Sequence, residues 1–334
     1  MKNPDLKRVA HHELKIGMYV ILPLAWHQHP FLKSHFLIES DTEIRKIKEL
    51  GVKGIQVDLA KSRIVETPSA VVRRRLPVEP GKHKPAQAVV ATDDLINTIH
   101  DKSLTRENKS RLVREYSISM MKNMLENPTA QNITEAKKGI SEMVSLILTD
   151  DAILRHLLDI TSHDFNTYTN SVGVGVLSVA LAKTLLKNSD AHDMQALGVG
   201  FFLHDVGKVR INQAILMKPG KLTAGERDEM QRHPLLGYKL LQETKHLSEE
   251  SKTIVLQHHE RIDGTGYPRR LRGENIHLYG RICSIADVYE ALTADRPYRQ
   301  KLSAFAALKI MQEEMSHHFQ RDLFEKFVLL FKAP

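Results

Sequence analysis

The sequence has a single cysteine, Cys283, in 334 residues. No internal disulfide can form, so the core has to hold by packing, and a soluble protein of a reducing compartment is expected. The sequence reading finds no signal-peptide pattern and no apolar stretch of about 18 residues, which argues against a secreted or membrane-spanning class. Internal repeats and low-complexity tracts are lacking as well. With 42% hydrophobic and 26% charged residues, the composition excludes a disordered, collagen-like or fibrous chain. At about 150 residues per domain the length suggests two domains. The 48 Lys and Arg against 40 Asp and Glu leave a formal charge of +8, a modest basic excess that suits anionic partners but is no signature of DNA binding. What the chain has in quantity is histidine, 18 in all. Imidazole is the commonest metal ligand and the usual base near neutral pH, so the positions of these residues carry the functional reading.

Residues 1–65 read as a small α+β domain. Segments 17–22, 36–38 and 54–58 are strand candidates. Between the last two, Ser40-Asp41-Thr42-Glu43 has capping-box order, Ile44 and Ile47 follow at helical spacing, and Gly51 is placed to end the helix. Residues 66–92 break the pattern: Pro68, Pro77, Pro80 and Pro85 and the run Arg73-Arg74-Arg75 indicate a solvated basic linker, to which no function is assigned. From 93 to 334 strand signals nearly vanish. Val172, Val176, Val179 and Leu186 line one helical face and Val174, Leu177, Leu181 and Leu185 another, which predicts a helix buried nearly all round. Thr223-Ala224-Gly225-Glu226 is a capping-box start, and Leu235, Leu236, Leu240 and Leu241 continue that helix's apolar face. The larger domain is therefore expected to be α-helical.

The chemistry sits in histidines and aspartates at the ends of apolar segments. The apolar run 197–203 leads into His204-Asp205-Val206-Gly207-Lys208, so two metal-capable groups stand where a buried helix is expected to end at a glycine. Burial makes such groups costly to leave unpaired. The carboxylate can bridge two cations, and Lys208 can hold a phosphate oxygen. His233 precedes Pro234 on the next helix, and His258 and His259 close a helix containing Ile254, Val255 and Leu256. Asp287 lies among apolar neighbours, where a carboxylate needs a cation. Each of these residues alone would read as a satisfied core histidine or a helix cap; together they point to a metal centre. Imidazole and carboxylate donors without thiolate suit Fe, Mn, Co, Ni or Zn, not a structural Cys-type zinc site. Two such ions about 3.5–4 Å apart hold a hydroxide and stabilise the attacking and leaving oxygens of an in-line phosphoryl displacement. The cluster Arg296-Pro297-Tyr298-Arg299 offers arginines able to clamp a phosphodiester.

HDVGK at 204–208, LMKPGKLTAGE at 216–226, HHERIDGTGYP at 258–268 and IADVYEALTADRPYR at 285–299 occur in an order and spacing that resemble an HD-GYP domain, a subgroup of the HD metallophosphohydrolases. The likeness covers roughly residues 110–334. Residues 1–65 resemble, through KIGMYV, HPFL, FLI and VDLAKS, the small N-terminal domain of unknown function that often precedes such modules. The resemblance implies a mainly α protein, an all-helical HD-type bundle behind a small α+β domain. It also implies a bacterial, cytoplasmic enzyme that hydrolyses the second messenger cyclic di-GMP to linear pGpG and onward to GMP. Two divalent transition ions are implied, Fe or Mn first, with Ni, Co or Zn also compatible. One would be held by His204, Asp205 and Asp287, the other by Asp205, His233, His258 and His259, with Asp205 bridging. Lys208, Arg296 and Arg299 would meet the phosphates, and Gly264, Gly266, Tyr267 and Pro268 would shape the loop beside the site, with Tyr267 facing substrate.

One position departs from the family pattern. Where a metal-binding histidine normally precedes a Ser-Val pair, this chain has Asn170, and Asn166 stands where some members place a glutamate for a third ion. An amide oxygen is a poor, neutral ligand beside imidazole. His163 lies two turns earlier on nearly the same face. A catalytically weakened cyclic di-GMP receptor and a protein-interaction module that recruits diguanylate cyclase domains are therefore the competing readings, with a nucleotidase of the wider HD class a further one. A homodimer is compatible with all of them.

Overall fold

The protein is described by a computed structural model, covering residues 6–10, 13–22, 35–38, 41–50, 52, 55–59, 61–62, 87–160, 167–186, 191–218, 220–294 and 301–332. The expectations for Ser40, Gly51, Gly54, the HPFL segment, the basic run at 73–75, Asn166, His163, Arg296 and Arg299 lie outside these residues. The chain divides into two compact units, residues 1–81 and 82–334.

The first unit holds β1 (Leu6–Val9), β2 (Tyr19–Ile21), β3 (His35–Leu37), α1 (Asp41–Glu49) and β4 (Ile55–Asp58). The strands form an antiparallel sheet in the order β1-β4-β2-β3, with Val57 opposite Lys7 on one side and Val20 on the other. Val20, Ile55, Val57 and Ile38 meet Ile44 and Ile47 of α1 in its core. Three strands and the helix stand where alternation and capping predict them. Strand β1 does not announce itself, because Lys7 and Arg8 break its apolar pattern; only Val9 is buried, and the charges belong to an edge.

The second unit is helical throughout its described residues. Its elements are α2 (Gln87–His100), α3 (Arg106–Glu126), α4 (Ala130–Thr149), α5 (Asp151–Asp159), α6 (Thr167–Leu186), α7 (Met194–Phe202), α8 (Gln213–Leu216), α9 (Ala224–Met230), α10 (His233–Glu243), α11 (Glu249–Gln257), α12 (Leu278–Thr293), α13 (Ala304–Glu314) and α14 (Arg321–Leu329). Short 3-10 turns at Val206–Arg210, Gly273–Asn275 and Ser316–His318 join some of them. Helix α2 starts inside the segment read as linker, with Ala91, Leu95 and Ile99 buried at four-residue spacing. The capping box of Thr223 and Glu226 forms as predicted. The helix it starts ends at Met230, however, and α10 is a separate helix with Pro234 in its first turn, so Leu235 points outward while Leu240 and Leu241 are buried.

Helix α6 runs through the middle, packed by α3, α4, α5, α7, α12 and α14. Its Val172, Val174, Val176, Leu177, Val179 and Leu181 are all buried, as the two apolar faces predict. Gly175 lets the Phe202 ring lie against its backbone. Against the sequence reading, α6 is long and apolar enough to cross a membrane by length and composition, its run being hidden by interspersed Thr, Ser, Gly and Asn. In the fold 78% of its most apolar window is buried, which makes it a core helix. Around it the first turn of α6, the ends of α7 and α11, the start of α10 and the middle of α12 come together.

Candidate metal centre

Helix α7 ends at Phe202, and the chain turns through Leu203, His204 and Asp205 into the 3-10 turn. The helix thus stops five residues short of Gly207, and the glycine serves a different purpose. A Cβ at Gly207 would strike the carbonyl oxygen of His233 and the backbone of Gly237, so its absence lets the turn lie directly on α10. That close approach carries Asp205 to His233. His258 caps the C-terminus of α11, with His259 next in the chain, and Asp287 comes from α12, which packs on both α6 and α11.

Asp205 is 1% exposed and stands at the centre. Its Oδ1 is 3.1 Å from His233 Nε2 and 3.7 Å from His258 Nε2. Its Oδ2 is 3.3 Å from His204 Nε2 and accepts hydrogen bonds from Lys208 Nζ at 2.5 Å and Asn170 Nδ2 at 3.3 Å. Asp287 lies 3.9 Å from His204 Nε2 and 3.6 Å from His259 Nδ1. Two groups of donors result: Asp205, His233, His258 and His259 on one side, and His204, Asp205 and Asp287 on the other.

Three of the imidazoles are aimed by carbonyls at helix ends. His204 Nδ1 donates to the Phe201 carbonyl at 2.8 Å, His233 Nδ1 to that of Met230 at 2.8 Å, and His258 Nδ1 to that of Val255 at 3.0 Å. With each Nδ1 committed to a carbonyl three residues back, each Nε2 is the nitrogen turned toward Asp205 and offers its lone pair once it carries no proton. His233 Nε2 and His258 Nε2 approach to 3.1 Å. With both Nδ1 atoms turned to carbonyls, this pair of facing Nε2 atoms suits a cation between them. Among the described residues, His204 Nε2 and Asp205 Oδ1 are enclosed and complete no hydrogen bond, which fits atoms meant for a metal.

Charge follows the same logic. Burial, with His204 and His233 adding to it, brings His258 down to about 4, so it is neutral in ordinary solution. Burial and His258 likewise lower His259. For Asp205 burial alone would favour the acid, but Lys208 and then His204 outweigh it and hold the carboxyl well below its usual range. For His204 burial is outweighed by Asp205, with Asp287 also contributing, so its proton is held more tightly. Such a proton is one a bound cation displaces. The cluster is compatible with a dinuclear metal site.

Tyr267 stacks on His259, with ring centroids 4.6 Å apart and planes at 30°, and stands edge-on to His233. Its ring therefore packs on the histidine cluster rather than standing free in the loop. Gly264 has φ of 80°, and a Cβ at Gly266 would meet the backbone of residues 259–261, so both glycines are needed for this loop. Pro268 follows a cis bond. Glu260, 1% exposed beside the twin histidines, carries no local sequence signal of a role. Asp263, His317 and His318 form a third group of donors, distant in sequence; there the Arg261 guanidinium donates to His318 Nε2 at 3.2 Å, which disfavours a cation.

Known proteins share the helical fold. The profile of the HD domain matches residues 152–323, and that of a domain of unknown function, DUF3391, matches residues 6–149. The second match extends well past residue 65, through α2, α3 and α4. Cyclic di-GMP phosphodiesterase PA4108 of Pseudomonas aeruginosa is 32% identical over 97% of this chain and 76% of its own length. The 3'3'-cGAMP-specific phosphodiesterase 1 of Vibrio cholerae is 33% identical over 66% of this chain, which spans 51% of that protein. Bd1817, an HDG"Y"P protein from Bdellovibrio bacteriovorus, shares the fold with a TM-score of 0.61 at 17% identity, covering 98% of this chain and all of that one. The chain belongs to the HD-domain family in its HD-GYP form, with a DUF3391 region on its N-terminal side.

Proposed function

We propose that this chain is a metal-dependent phosphodiesterase that hydrolyses cyclic di-GMP to pGpG and then GMP. One observation carries the proposal: three imidazoles, each with Nδ1 tied to a backbone carbonyl, turn their Nε2 atoms onto one buried aspartate. The phosphodiesterase names of its relatives support the substrate class. The donor set suits two ions, Fe or Mn first, with Ni, Co or Zn as alternatives. His233, His258 and His259 would hold one with Asp205, and His204 and Asp287 the other. Bound ions of this kind supply a hydroxide at neutral pH and absorb phosphate charge.

The chain's own residues do the rest. Asp205 stays ionised and shared between the two sides. His258 and His259 stay unprotonated, keeping their lone pairs available. Lys208, whose side chain is 20% exposed, sets its ammonium on Asp205 Oδ2, where it can also take a phosphate oxygen. Arg296 and Arg299 would add a bidentate grip, and Tyr267 offers the outer face of its ring to a base.

A second reading, a weakened enzyme that serves as a receptor, is favoured by Asn170, which puts an amide donor on Asp205 Oδ2. The test is turnover by anaerobically purified protein loaded with Fe(II) or Mn(II), with 3'3'-cGAMP run in parallel. Cleavage of cyclic di-GMP that vanishes in Asp205→Ala supports the enzyme. Metal-loaded protein that binds cyclic di-GMP and leaves both it and pGpG intact supports the receptor instead.

A further inference from the structure

We infer that Glu260 is a positioning residue for the metal centre: it clamps the loop at 261–272 so that Tyr267 lies flat on His259 and orients that imidazole. The inference rests on the metal centre proposed above and adds a residue to which no role is otherwise assigned.

His259 differs from its three partners. His204, His233 and His258 are each oriented by a backbone carbonyl on Nδ1. Among the described residues no hydrogen bond holds the His259 ring; its Nδ1 is 3.6 Å from Asp287 Oδ2. The ring is instead packed by His258, 4.2 Å away, by the edge-on His233, 4.9 Å away, and by Tyr267, 4.6 Å away, the one neighbour among these three that is not itself a candidate ligand. Its orientation therefore depends on where Tyr267 is kept.

Tyr267 is kept by the loop, and the loop by Glu260. The Glu260 carboxylate accepts the Arg269 amide on Oε1 at 2.7 Å and the Leu271 amide on Oε2 at 2.9 Å. Both oxygens of a side chain only 1% exposed are spent on the backbone just past Pro268. Among the described residues no cation pairs with it. A buried carboxylate is a costly way to hold two amides, and what it gains is a short, charge-assisted grip that a neutral side chain cannot supply. Ser284 on α12 donates to the Glu260 carbonyl at 3.4 Å, tying the clamp to the helix that carries Asp287. The Tyr267 amide donates to the His259 carbonyl at 3.1 Å, and the Gly273 amide to that of Ile262 at 3.0 Å, so the loop closes on the segment that bears the twin histidines. With no Cβ at Gly266 the two strands of the loop touch.

The experiment is a cobalt titration of the full chain, read by the visible absorption of Co(II) and by competition with a chelator. Glu260→Gln keeps the volume but sets an amide donor against one of the two backbone donors. Its affinity for cobalt should fall by about 10- to 100-fold, the usual cost of losing a partner that orients a ligand, with an altered absorption band and unchanged helical circular dichroism. Tyr267→Leu, which removes the stack and leaves the clamp, should give the same loss. The double variant should be no worse than the poorer single, since both act through one ring. Parental cobalt affinity and spectrum in either single variant, or losses that simply add, overturn the inference. If Glu260→Gln unfolds, Tyr267→Leu alone decides the matter by the same criterion. A parent that binds cobalt and fails to cleave cyclic di-GMP defeats the proposed function and leaves the clamp standing; a parent that binds no cobalt defeats both.

Discussion

The two oxygens of Asp205 have unequal company. Oδ1 faces His233 and His258, whereas Oδ2 already receives a lysine ammonium and an asparagine amide. An ion on the Oδ2 side must share that oxygen with two donors and, among the described residues, finds a single imidazole, His204, with Asp287. The two sides should therefore differ in affinity, the three-imidazole side being the tighter. Asn170→His exchanges an amide donor for a lone pair. It should raise affinity on the weaker side by about ten-fold or more and bring the metal content toward two per chain, as read by elemental analysis after dialysis. An unchanged content would show that Asn170 does not limit occupancy.

At the scale of elements, the site depends on two backbones touching. Gly207 and Gly237 let the 3-10 turn that follows Asp205 rest on the first turns of α10. Gly207→Ala puts a Cβ against the His233 carbonyl and the Gly237 amide, neither of which can step aside without moving its helix. It should cost about 1–3 kcal/mol in urea unfolding and weaken metal binding together, because His233 is displaced with α10. Gly225→Ala on α9 is the control: its Cβ meets nothing among the described residues, and the change should be neutral or stabilising by up to about 1 kcal/mol. This contact also marks how far the sequence can be read. Periodicity and capping located α1, α6 and three strands, because those signals are local. Lys7 and Arg8 hid β1, since edge position is a property of the sheet. The nearness of His204, His233 and Asp287 came from family motifs, not from spacing, because nothing local to a glycine says which backbone will press against it. Glu260 stayed silent for a similar reason, its partners being amides that every residue has.

At the scale of the molecule, the family boundaries and the structural ones disagree. The HD profile begins at residue 152, and the structural division falls at 81/82. Helices α2, α3 and α4 lie between, and they supply Leu95, Met120, Met121, Ile133, Ile140, Met143 and Val144 to the same core as α6 and α7. A fragment of residues 82–334 should fold and melt cooperatively. One of residues 150–334 leaves much of α6 and α7 bare and should be recovered as aggregate, a contrast that expression and circular dichroism would expose directly. An equally soluble, cooperative shorter fragment would refute the shared core.

Helix α6 has a consequence for how the chain is made. It leaves the ribosome before α7, α12 and α14, which cover it in the finished protein. Until they arrive, the nascent chain displays a 20-residue helix long and apolar enough, by length and composition, to span a bilayer. Biosynthesis therefore has to shelter that segment, by chaperone or by rapid collapse onto α3 and α4, until the last helices close over it.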